Sequence, residues 1–124
     1  MRIPLSLQTL LLATALVPAS GAPGGKVDFN RDIRPILMEK CTTCHGPDEK
    51  ERKGELRLDV RADAIKDHDG VRPIVPGKPE ESDLVARICT DDKDDVMPPL
   101  KSKKTLKPEQ KELLKKWVEE GAEY

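Results

Sequence analysis

The sequence predicts a small all-α domain in which two terminal helices flank a long stretch of irregular chain. An amphipathic segment begins near residue 28 and a second one near residue 108, while residues 70–79 contain three prolines and two glycines. One segment, Leu56-Arg57-Leu58, alternates as a strand does, but it is too short to found a sheet. With 124 residues and no internal repeat, the chain is expected to form one domain.

The first 21 residues have the pattern of a secretory signal peptide. Arg2 is their only charged residue, an apolar run covers residues 10–17, and small residues before position 22 suit cleavage after Gly21. The run is shorter than the roughly 20 residues of a spanning helix, so we expect export with no stable membrane span after cleavage. Residues 22–27 have the composition of a flexible spacer, and the domain is expected over residues 28–124.

The first predicted helix covers residues 28–40 and leads into Cys41. Asp28 or Asn30 can cap its first turn, and Pro35, which has no backbone donor, should bend or delay it. Its apolar residues follow helical spacing and form one stripe: Phe29, Ile33, Ile36 and Leu37.

The middle of the chain predicts only short helical pieces. Residues 61–66 can form one or two turns, and Ser82 is expected to cap a short helix over residues 83–88. The acidic run 91–95 is interpreted as a solvated loop. Cys89, at the end of the short helix, is expected to be a buried residue without a chemical role.

The last helix has the clearest signals. Pro108 suits its first position and Gly121 its end, whereas Lys107 stands where a capping residue is expected, so the helix start should fray. Trp117 is expected to pack between the two terminal helices. The apolar face of the last helix consists of Leu113, Leu114, Trp117 and Val118.

Composition limits what the chain can do. The net charge is −1 and 36% of residues are charged, so there is no general basic field for nucleic acid or anionic membrane. Phe29, Trp117 and Tyr124 are the only aromatic residues. A domain of this size usually needs more apolar bulk in its core, which disulfides, a metal or a large cofactor can supply.

The motif Cys41-Thr42-Thr43-Cys44-His45 predicts such a cofactor. C-x-x-C-H is the attachment motif of c-type haem, in which two thiols reach the two vinyl groups and the adjacent histidine binds iron. Three alternatives stay open: a redox pair of thioredoxin type, a strained Cys41–Cys44 disulfide, and a structural zinc site. The zinc site would add two ligands from His45, His68 and Cys89 to Cys41 and Cys44.

A six-coordinate haem needs a second axial ligand, for which Met38, Met97 and His68 are candidates. Met38 lies one helical turn before Cys41, on the attachment side of the ring. Met97 is distant in sequence and is followed by two prolines that stiffen its loop, so it is the favoured ligand, together with His45. His68, flanked by aspartates, is expected to be solvated and is the second choice.

Several blocks of the sequence resemble the planctomycete-type cytochrome c domain, and together they span residues 28–124. The resemblance implies a small cytochrome c-like fold with terminal helices around one covalent haem c, held by Cys41 and Cys44, with iron between His45 and Met97. Cys89 is outside the family's haem motif. The family's domain usually opens a longer chain, so a free-standing carrier, a truncated product and a fragment all remain open. The matching blocks are residues 29–37, 41–47, 54–59, 74–82, 97–99 and 117–124.

The sequence therefore predicts an exported, periplasmic or otherwise extracytoplasmic monohaem cytochrome that transfers single electrons to or from a redox partner protein or domain. No nucleophile–base pair, phosphate loop or carboxylate pair suggests independent catalysis. Two alternatives are retained: a zinc- or disulfide-stapled extracytoplasmic interaction module, and a haem accessory domain of a larger redox enzyme.

Overall fold

The computed structural model describes residues 25–124, so the predicted signal peptide and residues 22–24 of the spacer lie outside the described residues. The described part is helical and contains no strand, as predicted; its only β feature is an isolated bridge between His68 and Val71. None of its helices has the length and apolar content needed to span a membrane. Its α-helices are α1 (Arg34–Lys40), α2 (Arg61–Ala64), α3 (Asp83–Cys89) and α4 (Pro108–Glu119).

The N-terminal segment starts with a π-helical turn, Phe29–Ile33, before α1 begins. Asp28 caps this turn, since its carboxylate accepts the Arg31 backbone N–H at 2.8 Å. Pro35 lies in the first turn of α1, where its missing N–H leaves no helical bond unmade. The α-helix is therefore delayed as predicted, because the chain forms a π-helical turn before the proline and becomes α-helical only at Arg34.

The two terminal segments pack against each other through the three aromatic rings. Trp117 is 2% exposed, as expected for a residue between them. Its ring centroid lies 5.9 Å from that of Phe29 and 5.4 Å from that of Tyr124. Tyr124 also stacks on Phe29 at 4.4 Å. The buried core that this packing closes includes Ile33, Ile36, Leu37, Leu58, Ile74, Ile88, Leu106, Leu114 and Val118.

The C-terminal helix has a better-ordered start than its sequence predicts. The backbone N–H of Lys107 donates to Gln110 Oε1 at 2.9 Å, which is the half of a capping box that a lysine at this position can still form. Gln110 therefore partly compensates for the absence of Ser, Thr or Asp at position 107.

Ser82 precedes α3 as predicted, but its side chain does not cap the helix. Ser82 is only 2% exposed. Its hydroxyl accepts the Val75 N–H at 2.9 Å and donates to the Lys78 carbonyl at 2.9 Å. The proline-rich segment before α3 bends back over Ser82 and leaves a buried N–H that needs an acceptor. Ser82 thus fixes that segment rather than the helix.

The expectation that Cys89 is buried is wrong, because its residue is exposed. Val85 and Ile88 of α3 are buried, and helical geometry turns each next side chain by about 100°. Cys89 follows Ile88 directly and is therefore rotated away from the core. The acidic run 91–95, by contrast, is exposed as predicted.

Candidate cofactor site

The residues of the C-x-x-C-H motif form a tight turn at the end of α1. Cys41 ends the helix, with its N–H bonded to the Leu37 carbonyl at 2.9 Å. The Cys41 carbonyl then accepts the N–H groups of both Cys44 and His45, at 3.2 and 2.9 Å. One carbonyl thus closes the turn that holds the second cysteine and the histidine.

Gly46 allows this turn to close. A Cβ atom at this position would lie 2.1 Å from the Thr42 backbone oxygen, well below the 3.4 Å at which ordinary contacts begin. Gly46 does not have a positive φ, so lack of space and not backbone conformation requires glycine here. The sequence signal for this glycine is its position directly after the motif.

His45 is fixed by the loop that follows it. Its Nδ1 lies 3.0 Å from the Lys53 carbonyl, while the Lys53 N–H donates to the Cys44 carbonyl. Because a carbonyl can only accept, Nδ1 carries the hydrogen and Nε2 has a free lone pair in the neutral ring. Burial lowers the pKa of His45, which favours this neutral form. The histidine is thus oriented as a metal-binding histidine normally is, with a carbonyl behind it.

Cys41, Cys44, His45 and Met97 line a single cavity of about 640 Å³. This volume lies within the range of about 300–1,000 Å³ typical of small-molecule and cofactor sites. Apart from these four residues, the wall of the cavity is mainly apolar. Its apolar residues are Leu56, Leu58, Val71, Pro73, Leu84, Ile88, Pro98 and Pro99.

The three candidates for the second axial ligand differ in position. Met97 is half-buried and lines the cavity, and its N–H donates to the Arg87 carbonyl at 3.0 Å. Met38 is 59% exposed and does not line it. His68 was expected to be solvated, which is wrong: it is half-buried, lines the cavity and directs Nε2 to the Asp63 carbonyl at 2.9 Å. The bridge between His68 and Val71 turns this loop inward.

No disulfide joins any two of Cys41, Cys44 and Cys89. Burial raises the pKa of Cys41 to about 12, so its sulfur is a neutral thiol, although the nearby Lys104 ammonium opposes the shift. Cys89 does not line the cavity. Within residues 25–124, no three His, Cys, Asp or Glu side chains are grouped as a metal site would require.

Four cations and one carboxylate also line the cavity, and none of them was predicted to belong to it. Lys104, after the Met97 loop, donates its Nζ to Thr43 Oγ1 at 3.1 Å, within the C-x-x-C-H motif. This hydrogen bond joins segments that are 61 residues apart. Lys40 directly precedes the motif in the sequence, whereas only the folded chain places the other charges beside it: Lys53, Arg87, Lys104 and Asp83.

The residues of the cavity fit a haem. The wall combines the thiols of Cys41 and Cys44, three positions apart, a neutral histidine with a free Nε2, and a thioether in an apolar enclosure. Soft sulfur and imidazole ligands are those that hold haem iron, and the apolar wall suits a porphyrin. A cofactor of this size would also supply the apolar bulk that the composition lacks.

Comparison with known families agrees with this reading of the site. Residues 41–101 match the family model described as Planctomycete cytochrome C, a range that includes the C-x-x-C-H motif and Met97. Comparison with curated proteins and with solved structures gives no significant match. The family match suggests a haem-binding, electron-transfer role for this domain. The chain carries a planctomycete-type cytochrome c domain.

Proposed function

We propose that this protein is an exported monohaem c-type cytochrome that transfers single electrons through a His45/Met97 haem attached to Cys41 and Cys44. The observation that carries the proposal is the convergence of these four residues on one apolar cavity, with His45 Nδ1 bonded to the Lys53 carbonyl. Bound haem supplies a one-electron couple at iron.

Each residue of the site has a distinct role in this proposal. Cys41 and Cys44 would hold the ring covalently, each through a thioether bond. His45 offers Nε2 to iron because its Nδ1 hydrogen is held by the Lys53 carbonyl. Met97 would hold iron through its thioether, which would keep small molecules away from the metal and favour electron transfer over bond chemistry. The apolar wall excludes water and lowers the local dielectric constant.

The location and partners of the protein belong to the same proposal. Cytochrome c domains are typically extracytoplasmic, and the signal-like residues 1–21 agree with export to that side of the membrane. The partner is a redox protein or domain, which exchanges one electron with the haem. The protein itself carries out no independent catalysis.

Covalent attachment is tested by mass spectrometry of the denatured protein after expression in a host that matures c-type cytochromes. We expect the mass of one haem on the wild type, no haem of normal thioether linkage on the Cys41→Ser, Cys44→Ser double variant, and full haem on the control Cys89→Ser. A wild type without haem, beside a cytochrome that the same host matures, would end the proposal and favour the stapled module.

Axial ligation is tested by the visible spectrum of the oxidised and reduced protein. We expect a low-spin spectrum with the weak far-red band of methionine-bound ferric haem, which Met97→Ala should remove. Met38→Ala is the matched control, because it removes a methionine that is exposed and outside the cavity. A wild type that binds carbon monoxide as readily as Met97→Ala would contradict six-coordination. A low-spin spectrum without the far-red band would favour His68 instead.

A further inference from the structure

The Met97 loop returns to α3 at one residue, Arg87. The chain leaves α3 at Cys89, passes through the acidic run 91–95 and comes back so that the Met97 N–H donates to the Arg87 carbonyl at 3.0 Å. The guanidinium of the same residue reaches the loop a second time, because its Nη1 lies 3.5 Å from the Asp95 carbonyl. Arg87 therefore contacts the loop through both its backbone and its side chain.

The Arg87 side chain is itself held in place. Its Nε donates to Asp83 Oδ2 at 2.8 Å, one helical turn earlier on α3. The planar guanidinium can bind a carboxylate on one side and a carbonyl on another, which a lysine with a single ammonium cannot do in the same geometry. Arg87 also lines the cavity, as do Asp83 and Met97. The ion pair thus lies beside the proposed iron ligand rather than on a remote surface.

We propose that Arg87 is the positioning residue of Met97: by joining Asp83 to the loop at Asp95, it holds the methionine where it can bind iron. The inference rests on the proposed function, since it concerns the sixth ligand of that haem. The side chain does not touch iron, and its contribution is to limit the freedom of the loop. Without it, the bond from the Met97 N–H to the Arg87 carbonyl would be the remaining hydrogen bond between this loop and α3.

Imidazole binding to the ferric protein measures how firmly Met97 holds its position, because imidazole must displace the methionine to bind iron. The side chains of Arg87 and Asp83 are 40% and 36% exposed. Removing their ion pair should therefore cost only the small free energy that a surface ion pair contributes. We expect Arg87→Gln to tighten the apparent imidazole affinity about three- to fivefold. Asp83→Asn should act in the same direction with a smaller change, and the far-red band should weaken in parallel.

Two controls separate positioning from charge and from general stability. Arg31→Gln removes an equivalent pair, in which Arg31 lies 2.8 Å from Asp32 outside the cavity, and should leave imidazole affinity unchanged. Arg87→Lys keeps the charge but not the two-sided contact and should show most of the Arg87→Gln effect. If Arg87→Lys behaves as wild type while Arg87→Gln does not, charge alone acts and the positioning role is refuted.

Met97→Ala separates failure of this inference from failure of the proposed function. If Met97→Ala binds imidazole no more tightly than wild type, methionine is not the ligand and the proposed ligation fails. If Met97→Ala binds more tightly but Arg87→Gln and Asp83→Asn both match wild type, only the role of Arg87 is refuted. Covalent haem content and the circular dichroism of each variant establish that the compared proteins are folded.

Discussion

Gly46→Ala is the substitution for which the structure makes the sharpest prediction. The added methyl would lie 2.1 Å from the Thr42 carbonyl oxygen and 3.0 Å from the carbon of the same carbonyl. These atoms belong to the backbone of the C-x-x-C-H turn, so no flexible side chain can move aside. The turn has to open by about an ångström, and the adjacent His45 has to move with it.

The cost follows from the kind of atom that is contacted. Inserting a methyl group into a packed site costs about 1–3 kcal/mol, and a rigid backbone neighbour places this case at the upper end. A loss of about 3 kcal/mol in a domain of this size lowers the melting temperature by roughly 12–24 °C. Because the turn carries both cysteines and the histidine, we also expect a lower yield of covalent haem.

Thermal unfolding of the exported holoprotein, followed by circular dichroism, measures the first effect, and haem content per protein measures the second. Gly70→Ala is the control, because its added methyl meets no atom within 4 Å and only the positive φ of 89° is unfavourable. That control should lose about 1–2 kcal/mol and keep its haem. If Gly46→Ala instead matures fully and melts within about 3 °C of wild type, the close approach to Thr42 does not exist in the protein.

Three further predictions concern the packing around the site. Ser82→Ala should lower the free energy of unfolding by about 1–3 kcal/mol in urea titrations, because the buried Val75 N–H loses its acceptor; a change below 0.5 kcal/mol would refute that role. Tyr124→Phe should cost about 1 kcal/mol by removing the 2.6 Å hydrogen bond to the Leu58 carbonyl. Burial raises the pKa of Tyr124 above its ordinary value of 10.0, so the stability that its neutral hydroxyl contributes is present below pH 10 and is lost as the pH rises further. The difference in free energy of unfolding between wild type and Tyr124→Phe should therefore narrow above pH 10. A difference that stays constant with pH contradicts this reasoning. Cys89→Ser should change stability by less than about 0.5 kcal/mol, whereas a larger loss would indicate burial.

Much of the fold could be predicted from local signals. The cap at Asp28, the effect of Pro35 and the packing of Trp117 followed from helix chemistry and apolar spacing, because these depend on neighbours three or four residues away. Ser82 and Cys89 show where such reasoning fails. The capping preference of serine correctly indicated a boundary, but a buried N–H from another segment took the hydroxyl. Cysteine is often buried, yet the rotation of α3 turned this one outward.

The sequence by itself determined the chemistry available to this protein: five consecutive residues supply two thiols and an imidazole, and a helical pattern on either side supplies the fold class. Only the tertiary structure decided which distant groups meet them. It brought Met97 to the cavity of His45 and left Met38 outside, and it placed the Lys53 carbonyl behind the imidazole. Attachment motifs are readable because their atoms are close along the chain. Ligand choice and orientation depend on how loops return to the core, which sequence spacing does not specify.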